Sequence, residues 1–162
     1  MMNVPKTDAE LTLTKARTRL LKKLVFFGQL ALKLGLQEST QTQTMATDGK
    51  HIYYNSAWVE TVSVAMLAGV ILHEVLHVIF MHPLRRGERN HERWNVACDL
   101  AINPIIVRHG FELPEGALDE YRFHRMSAEQ IYKALDQEDD WESRLPPESP
   151  GEGEQEAGDE AQ

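Results

Sequence analysis

The feature that most constrains the fold is an apolar stretch that runs directly into three ionisable residues. Val62 to Leu72 carries no charge, and His73, Glu74 and His77 follow at once. Because a transmembrane helix needs about 20 apolar residues, this stretch is too short to cross a bilayer. Its apolar side chains also surround the helix instead of forming one stripe. We therefore interpret residues 56–81 as a helix buried at the centre of a globular protein, without membrane contact.

The pattern His73-Glu-Val-Leu-His77 predicts a metal site. On a helix, positions i and i+4 lie on one face, so the two imidazoles can bind one zinc ion while Glu74 points towards a metal-bound water. Ionisable groups in a buried helix are costly unless they are paired or bind a metal. We therefore expect His73 and His77 to be zinc ligands and Glu74 to be the catalytic base.

A third protein ligand is expected, because a catalytic zinc ion usually has three protein ligands and one open position. Asp99 is the first candidate, since it is a carboxylate inside the apolar helical segment that follows the motif helix. His82 is the second, although a continued helix would carry it about 180° away from His73. Cys98 is the third, although a lone cysteine in an apolar helix is usually a core residue. Asn103, one turn after Asp99, is placed to orient one of the two histidines.

The other elements, predicted from periodicity and turn residues, give an α+β fold. They are an amphipathic helix over residues 8–34, a β-hairpin over 41–54, a ligand-bearing helix over 92–109 and a short last helix from a capping box at 127–130 to residue 135. Asp48-Gly49 is a strong turn signal for the hairpin. Pro104 is expected to kink the ligand-bearing helix or to divide it.

The acidic residues are concentrated at the C-terminal end. The 162-residue chain has a net charge of -8, yet residues 136–162 hold 11 acids and one base, which leaves 14 acids and 16 bases before them. A nearly neutral body lacks a strong basic patch, so we expect no nucleic-acid partner. We divide the chain into one domain over 1–135 and a disordered acidic tail over 136–162, through which a partner protein can dock.

Cysteine content and the N-terminus indicate the cellular location. Cys98 is the only cysteine, so no intrachain disulfide can form and a disulfide-stapled secreted fold is excluded. The N-terminal residues contain no apolar segment after their first positive charges, which is unlike a secretory signal. We therefore expect a cytoplasmic protein.

Together these motifs resemble the zincin metallopeptidases whose third ligand is an acidic residue on the helix after HEVLH. The longer segments MATDGKHIYYN, HEVLHVIFMH, WNVACDLAIN and MSAEQIY resemble, over about residues 40–135, the metallopeptidase domain that bacterial proteins carry ahead of a von Willebrand factor A-like domain. The resemblance implies a zincin-like fold and a peptide or protein substrate. It also implies that His73, His77 and Asp99 bind the zinc ion. Glu74 would then be the catalytic base. The chain departs from that arrangement, because an acidic tail follows residue 135 in place of the second domain.

Two alternative functions stay open on sequence alone. A non-catalytic zinc-binding adaptor would use the same fold to bind a partner, although a purely structural zinc site has no use for a general base at Glu74. A zinc hydrolase acting on something other than a peptide would have the same ligands. Tyr121, Arg85 and Arg86 are candidates for stabilising an oxyanion, and spacing does not choose among them. The remaining histidines are predicted to lie at the surface or in loops: His51, His91, His109 and His124.

Overall fold

The structure, a computed structural model, describes residues 7–146 of the chain. Within that range seven α-helices and three strands follow in this order: α1 Asp8–Lys23, α2 Val25–Lys33, β1 Gly35–Glu38, β2 Met45–Thr47, β3 His51–Tyr54, α3 Ser56–Val59, α4 Val64–Ile79, α5 His82–Arg85, α6 His91–Arg108 and α7 Ala128–Leu135. Two 3-10 helices, Tyr121–Phe123 and Trp141–Arg144, lie on either side of α7 in the sequence. The α+β class is confirmed, and the zincin-like assignment stays a prediction. None of the described helices is long and apolar enough to cross a membrane.

The predicted first helix is wrong as a single element, because the chain bends at Leu24. This residue has φ of −136° and ψ of 85°, which lie outside the helical region. The bend brings Gly28 of α2 against α1, where an added Cβ would lie only 2.3 Å from the Cα of Leu21. Glycine permits this close approach, and both helices can then pack against α4.

The predicted hairpin is present, and a third strand that the sequence did not reveal joins it. β2 and β3 are antiparallel around Asp48-Gly49, where Gly49 has φ of 91° and Asp48 accepts hydrogen bonds from the backbone N–H groups of Lys50 and His51. β1 pairs in parallel with the other side of β3, so the strand order is β1-β3-β2. Strand β1, with the sequence GLQE, is short and mostly exposed, and therefore lacks the apolar alternation that marks a strand.

The motif helix is shorter than predicted but buried as expected. Residues 56–81 contain α3, a break and then α4, whose first turn is capped by the Ser63 hydroxyl accepting from the Met66 N–H at 3.1 Å. At Gly69 of α4, an added Cβ would lie 1.9 Å from the carbonyl oxygen of Glu112. The next long helix, α6, is continuous through Pro104.

The buried apolar residues form two main clusters that meet at α6. We name the first the N-terminal cluster, in which α4 is packed against α1, α2 and the sheet, and to which Ile102 and Ile106 of α6 belong. The second is the C-terminal cluster, whose buried members are Val96, Ala97, Leu100, Phe123, Ile131, Leu135 and Trp141. Helix α6 therefore connects the two clusters.

Packed structure continues beyond the predicted boundary at residue 135. Trp141 is 7% exposed and packs in the C-terminal cluster, and Arg144 forms ion pairs with Glu120 and Glu138. The prediction of a disordered tail is therefore wrong for residues 136–146. It failed because one tryptophan in an acidic segment contributes little to an average composition. The rest of the predicted tail, 147–162, lies outside the described residues.

Candidate metal centre

Helices α4 and α6 bring the three predicted ligands together. His73 and His77 lie on one face of α4, and Asp99 of α6 lies against that face. The Nε2 atoms of the two histidines are 2.9 Å apart, and they lie 3.2 and 3.3 Å from Asp99 Oδ1. No other group of three histidine, cysteine or acidic side chains in the described range has ligand atoms this close together.

These separations fit a tetrahedral metal site. Three atoms that each lie about 2.1 Å from a tetrahedral ion are separated from one another by about 3.4 Å. The observed values of 2.9 to 3.3 Å are slightly smaller, so small side-chain movements would admit an ion. The donor set of two imidazole nitrogens and one carboxylate oxygen is of the kind that binds zinc.

Asn103 determines the tautomer of His73. Its Nδ2 donates to the carbonyl of Leu118 at 2.9 Å, which turns its Oδ1 towards His73 Nδ1 at 2.8 Å. An amide oxygen can only accept, so His73 carries a proton on Nδ1 and can direct the lone pair of Nε2 at the cluster. The orienting contact expected of Asn103 is therefore present, and it is made to His73.

His82 contacts the Nδ1 side of His77 and not the ligand cluster. After α4 ends, Met81 adopts a left-handed conformation with φ of 55°, and the turn places His82 Nδ1 3.0 Å from His77 Nδ1. His82 is buried, and this burial lowers its pKa to about 4, which keeps the ring neutral. From sequence, His82 is a candidate ligand only. Pro83 was the signal that the helix ends early enough for this turn.

The other ligand candidate, Cys98, lies in a small buried group with Trp94 and Ala128. Burial raises the pKa of the Cys98 thiol, which disfavours the thiolate that a metal needs. The core interpretation of this residue therefore fits the structure. Within residues 7–146, the clustered metal-ligand group contains none of the histidines predicted to be peripheral: His51, His91, His109 and His124.

The three candidates for oxyanion stabilisation have different surroundings. Arg85 binds the Glu129 carboxylate through Nε and Nη2, so its guanidinium is already engaged. Tyr121 is 88% exposed, and its ring contacts His124. Arg86 is half-buried. Their roles in stabilising an oxyanion stay predictions.

Burial and the Asp99 carboxylate govern the charge of the cluster. Burial acts to lower the pKa of His73, but the attraction of Asp99 outweighs it and raises this pKa to about 9. Burial acts to raise the pKa of Asp99, but His73 and His77 hold it well below its usual range. The metal-free cluster therefore holds a proton at neutral pH among the atoms that would bind a cation.

Glu74 shares the helix turn of the two histidines and is 7% exposed. Its burial raises the pKa of the carboxyl group, while the nearby charges of His73 and His77 act in the opposite direction. A carboxylate with a raised pKa is a better proton acceptor near neutral pH than an exposed one. The structure thus separates two carboxyl groups of the site, since the half-buried Asp99 stays ionised and the buried Glu74 is easier to protonate.

Fold and site together define a class of protein, a mixed α+β domain whose central helix carries HExxH and whose His-His-Asp cluster is able to hold a metal. A family model described as a putative metallopeptidase domain matches residues 8–162, and the chain belongs to this family. The metallopeptidase resemblance is thereby confirmed, and the match continues past residue 135. No curated protein and no solved structure matches the chain.

Proposed function

We propose that this domain is a zinc-dependent peptidase in which His73, His77 and Asp99 bind the metal and Glu74 is the general base. The observation that carries the proposal is the convergence of three ligand atoms, 2.9 to 3.3 Å apart, from two helices beside a buried glutamate. Membership of a metallopeptidase family supports peptide bonds as the substrate class. A site with three protein ligands is typical of catalytic zinc, whereas structural zinc usually has four.

Zinc bound at this site would lower the pKa of a water molecule and polarise the scissile carbonyl group. Glu74 would accept a proton from the attacking water and donate it to the leaving amine. Its raised pKa supports both steps, because the group must take up a proton and release it within one cycle. Asp99 has the opposite requirement, and its lowered pKa keeps it ionised as a ligand.

The sheet offers a place for an extended peptide. Because β3 lies between β1 and β2, these two strands form the edges of the sheet among residues 7–146. β2 contacts α4, the helix that carries the HExxH motif. We expect a substrate to add to β2 through main-chain hydrogen bonds, which select for an unstructured backbone more than for particular side chains.

Glu74→Gln tests this function. The variant should bind zinc with the stoichiometry of the wild type but cleave an unstructured protein substrate roughly a hundredfold to ten-thousandfold more slowly, because the general base is lost. Glu92→Gln is the matched control, since Glu92 is exposed on the first turn of α6 and should be replaced without effect. A zinc-loaded wild type that cleaves nothing in a broad peptide library, and that matches Glu74→Gln in partner binding, would favour the adaptor function.

A further inference from the structure

His82 is a buried histidine that the proposed reaction does not use. It is 4% exposed, and its ring stacks on Phe80 with a centroid distance of 5.6 Å and an interplanar angle of 18°. The indole Nε1 of Trp94 donates to the His82 carbonyl at 2.8 Å. Trp94 lies on α6, the helix that also carries Asp99. The position of His82 is therefore tied to the helix that supplies the third ligand.

The contact between His77 and His82 constrains where their protons lie. The two Nδ1 atoms are 3.0 Å apart, so one of them donates a proton and the other accepts it. For His77 to direct a lone pair from Nε2 at a metal, its proton must be on Nδ1. His82 must then accept at Nδ1 and carry its own proton on Nε2.

We propose that His82 is a positioning residue of the metal centre, which accepts the Nδ1 proton of His77 and so fixes the tautomer and ring orientation that present His77 Nε2 to the metal. This inference rests on the proposed function, because it requires that the cluster bind a metal. Asn103 makes the equivalent contact with His73. Both motif histidines thus donate to an uncharged acceptor.

The uncharged acceptors have a chemical consequence. A carboxylate that accepts from a ligating histidine raises the basicity of that ligand and so passes more negative charge to the metal. His82 and Asn103 fix orientation without adding charge. A metal held by His73, His77 and Asp99 would therefore keep more of its positive charge, which would favour the polarisation of a carbonyl oxygen.

Two substitutions separate this role from simple packing. His82→Leu fills most of the volume but accepts no hydrogen bond, whereas His82→Asn keeps an acceptor near the position of Nδ1. Zinc affinity, measured by competition with a chromophoric chelator, should fall about tenfold to a hundredfold in the leucine variant, the usual cost of losing such a partner. The asparagine variant should recover most of that loss. His91→Leu is the control, since His91 is exposed and contacts only Asn95 among the described hydrogen bonds, and its affinity should not change.

A second measurement does not depend on the folding of a variant. Long-range ¹H–¹⁵N correlation spectra of the zinc-loaded wild type should show His82 protonated on Nε2 and His77 protonated on Nδ1. A proton on His82 Nδ1, or a leucine variant with wild-type zinc affinity, would overturn the inference. A wild type that binds no zinc overturns both the inference and the proposed function. A wild type that binds zinc with the expected spectra but cleaves no peptide removes the peptidase function alone.

Discussion

Helix α4 is enclosed by α1, α2 and the sheet, whereas the outer face of α6 is covered by α7 and the 3-10 helix Trp141–Arg144. Among residues 7–146, the N-terminal cluster contains 19 buried apolar residues and the C-terminal cluster contains 7, so the first side can form a core of its own more readily. The site joins the two sides, since His73 and His77 belong to α4 and Asp99 to α6. We infer that a bound metal stabilises the smaller cluster more than the larger one.

Removal of zinc should lower the stability of the domain more than any other change, and it should affect the C-terminal cluster more than the N-terminal cluster. Free zinc at 1,000 times its dissociation constant contributes about 4 kcal/mol to folding, which corresponds to a shift in Tm of roughly 10 to 15 °C for a domain of this size. Calorimetry with zinc and with a chelator measures the shift, and hydrogen exchange should show that amides of α7 lose more protection than those of α1. Equal loss on both sides would contradict the inferred asymmetry. Asp99→Ala, which cannot bind the metal through α6, should show almost no dependence on zinc.

Trp141→Ala should cause the next largest loss of stability, and it should destabilise the C-terminal cluster only. Removing a buried tryptophan side chain costs about 3 kcal/mol, which lowers Tm by roughly 10 °C. Because Trp141 packs in the C-terminal cluster, chemical denaturation of the zinc-free variant followed by hydrogen exchange should expose α7 before α4. Deletion of residues 147–162 is the matched control, since it leaves Trp141 in place, and its Tm should stay close to that of the wild type.

The change of zinc affinity with pH should be a smaller effect than the two shifts in Tm. It measures the electrostatic interaction between Asp99 of α6 and His73 of α4. Asp99 of α6 raises the pKa of His73 of α4 to about 9, so below this pH a proton occupies the metal-free site and must leave before zinc binds. Affinity should therefore fall about tenfold for each pH unit between 9 and 7. Calorimetry in buffers of different ionisation enthalpy should detect the released proton. An affinity that is constant over this range would show that Asp99 does not hold a proton on His73.

The parts of the site that follow from helix geometry could be predicted from sequence. His73 and His77 lie four residues apart, and helix geometry alone places them on one face. The position of Asp99 beside them follows from the expectation that a carboxylate in an apolar segment needs a partner. The contact of His82 was missed, because it depends on the left-handed conformation of Met81. Pro83 indicates that α4 ends before it, but not how the chain then turns.

The fold was predictable where an element buries a periodic apolar face. The capping box at Ser127 correctly located α7, and Asp48-Gly49 correctly located the hairpin turn. The bend at Leu24 could not be predicted, since the apolar spacing continues across it and only packing against α4 selects two helices. Strand β1 was missed for a related reason, because its pairing with β3 is non-local and its own side chains are mostly exposed.

The contact between Gly69 and the Glu112 carbonyl restricts how α4 can sit in the fold. The neighbouring residues, Ala68 and Val70, each carry a Cβ, and a rotation of the helix by one residue, about 100°, would turn one of them towards that carbonyl. An oxygen that would lie 1.9 Å from a Cβ at Gly69 leaves no room for a methyl group. Helix α4 therefore has one permitted azimuth about its own axis. At that azimuth His73, four residues after Gly69 on the same face, is directed at α6.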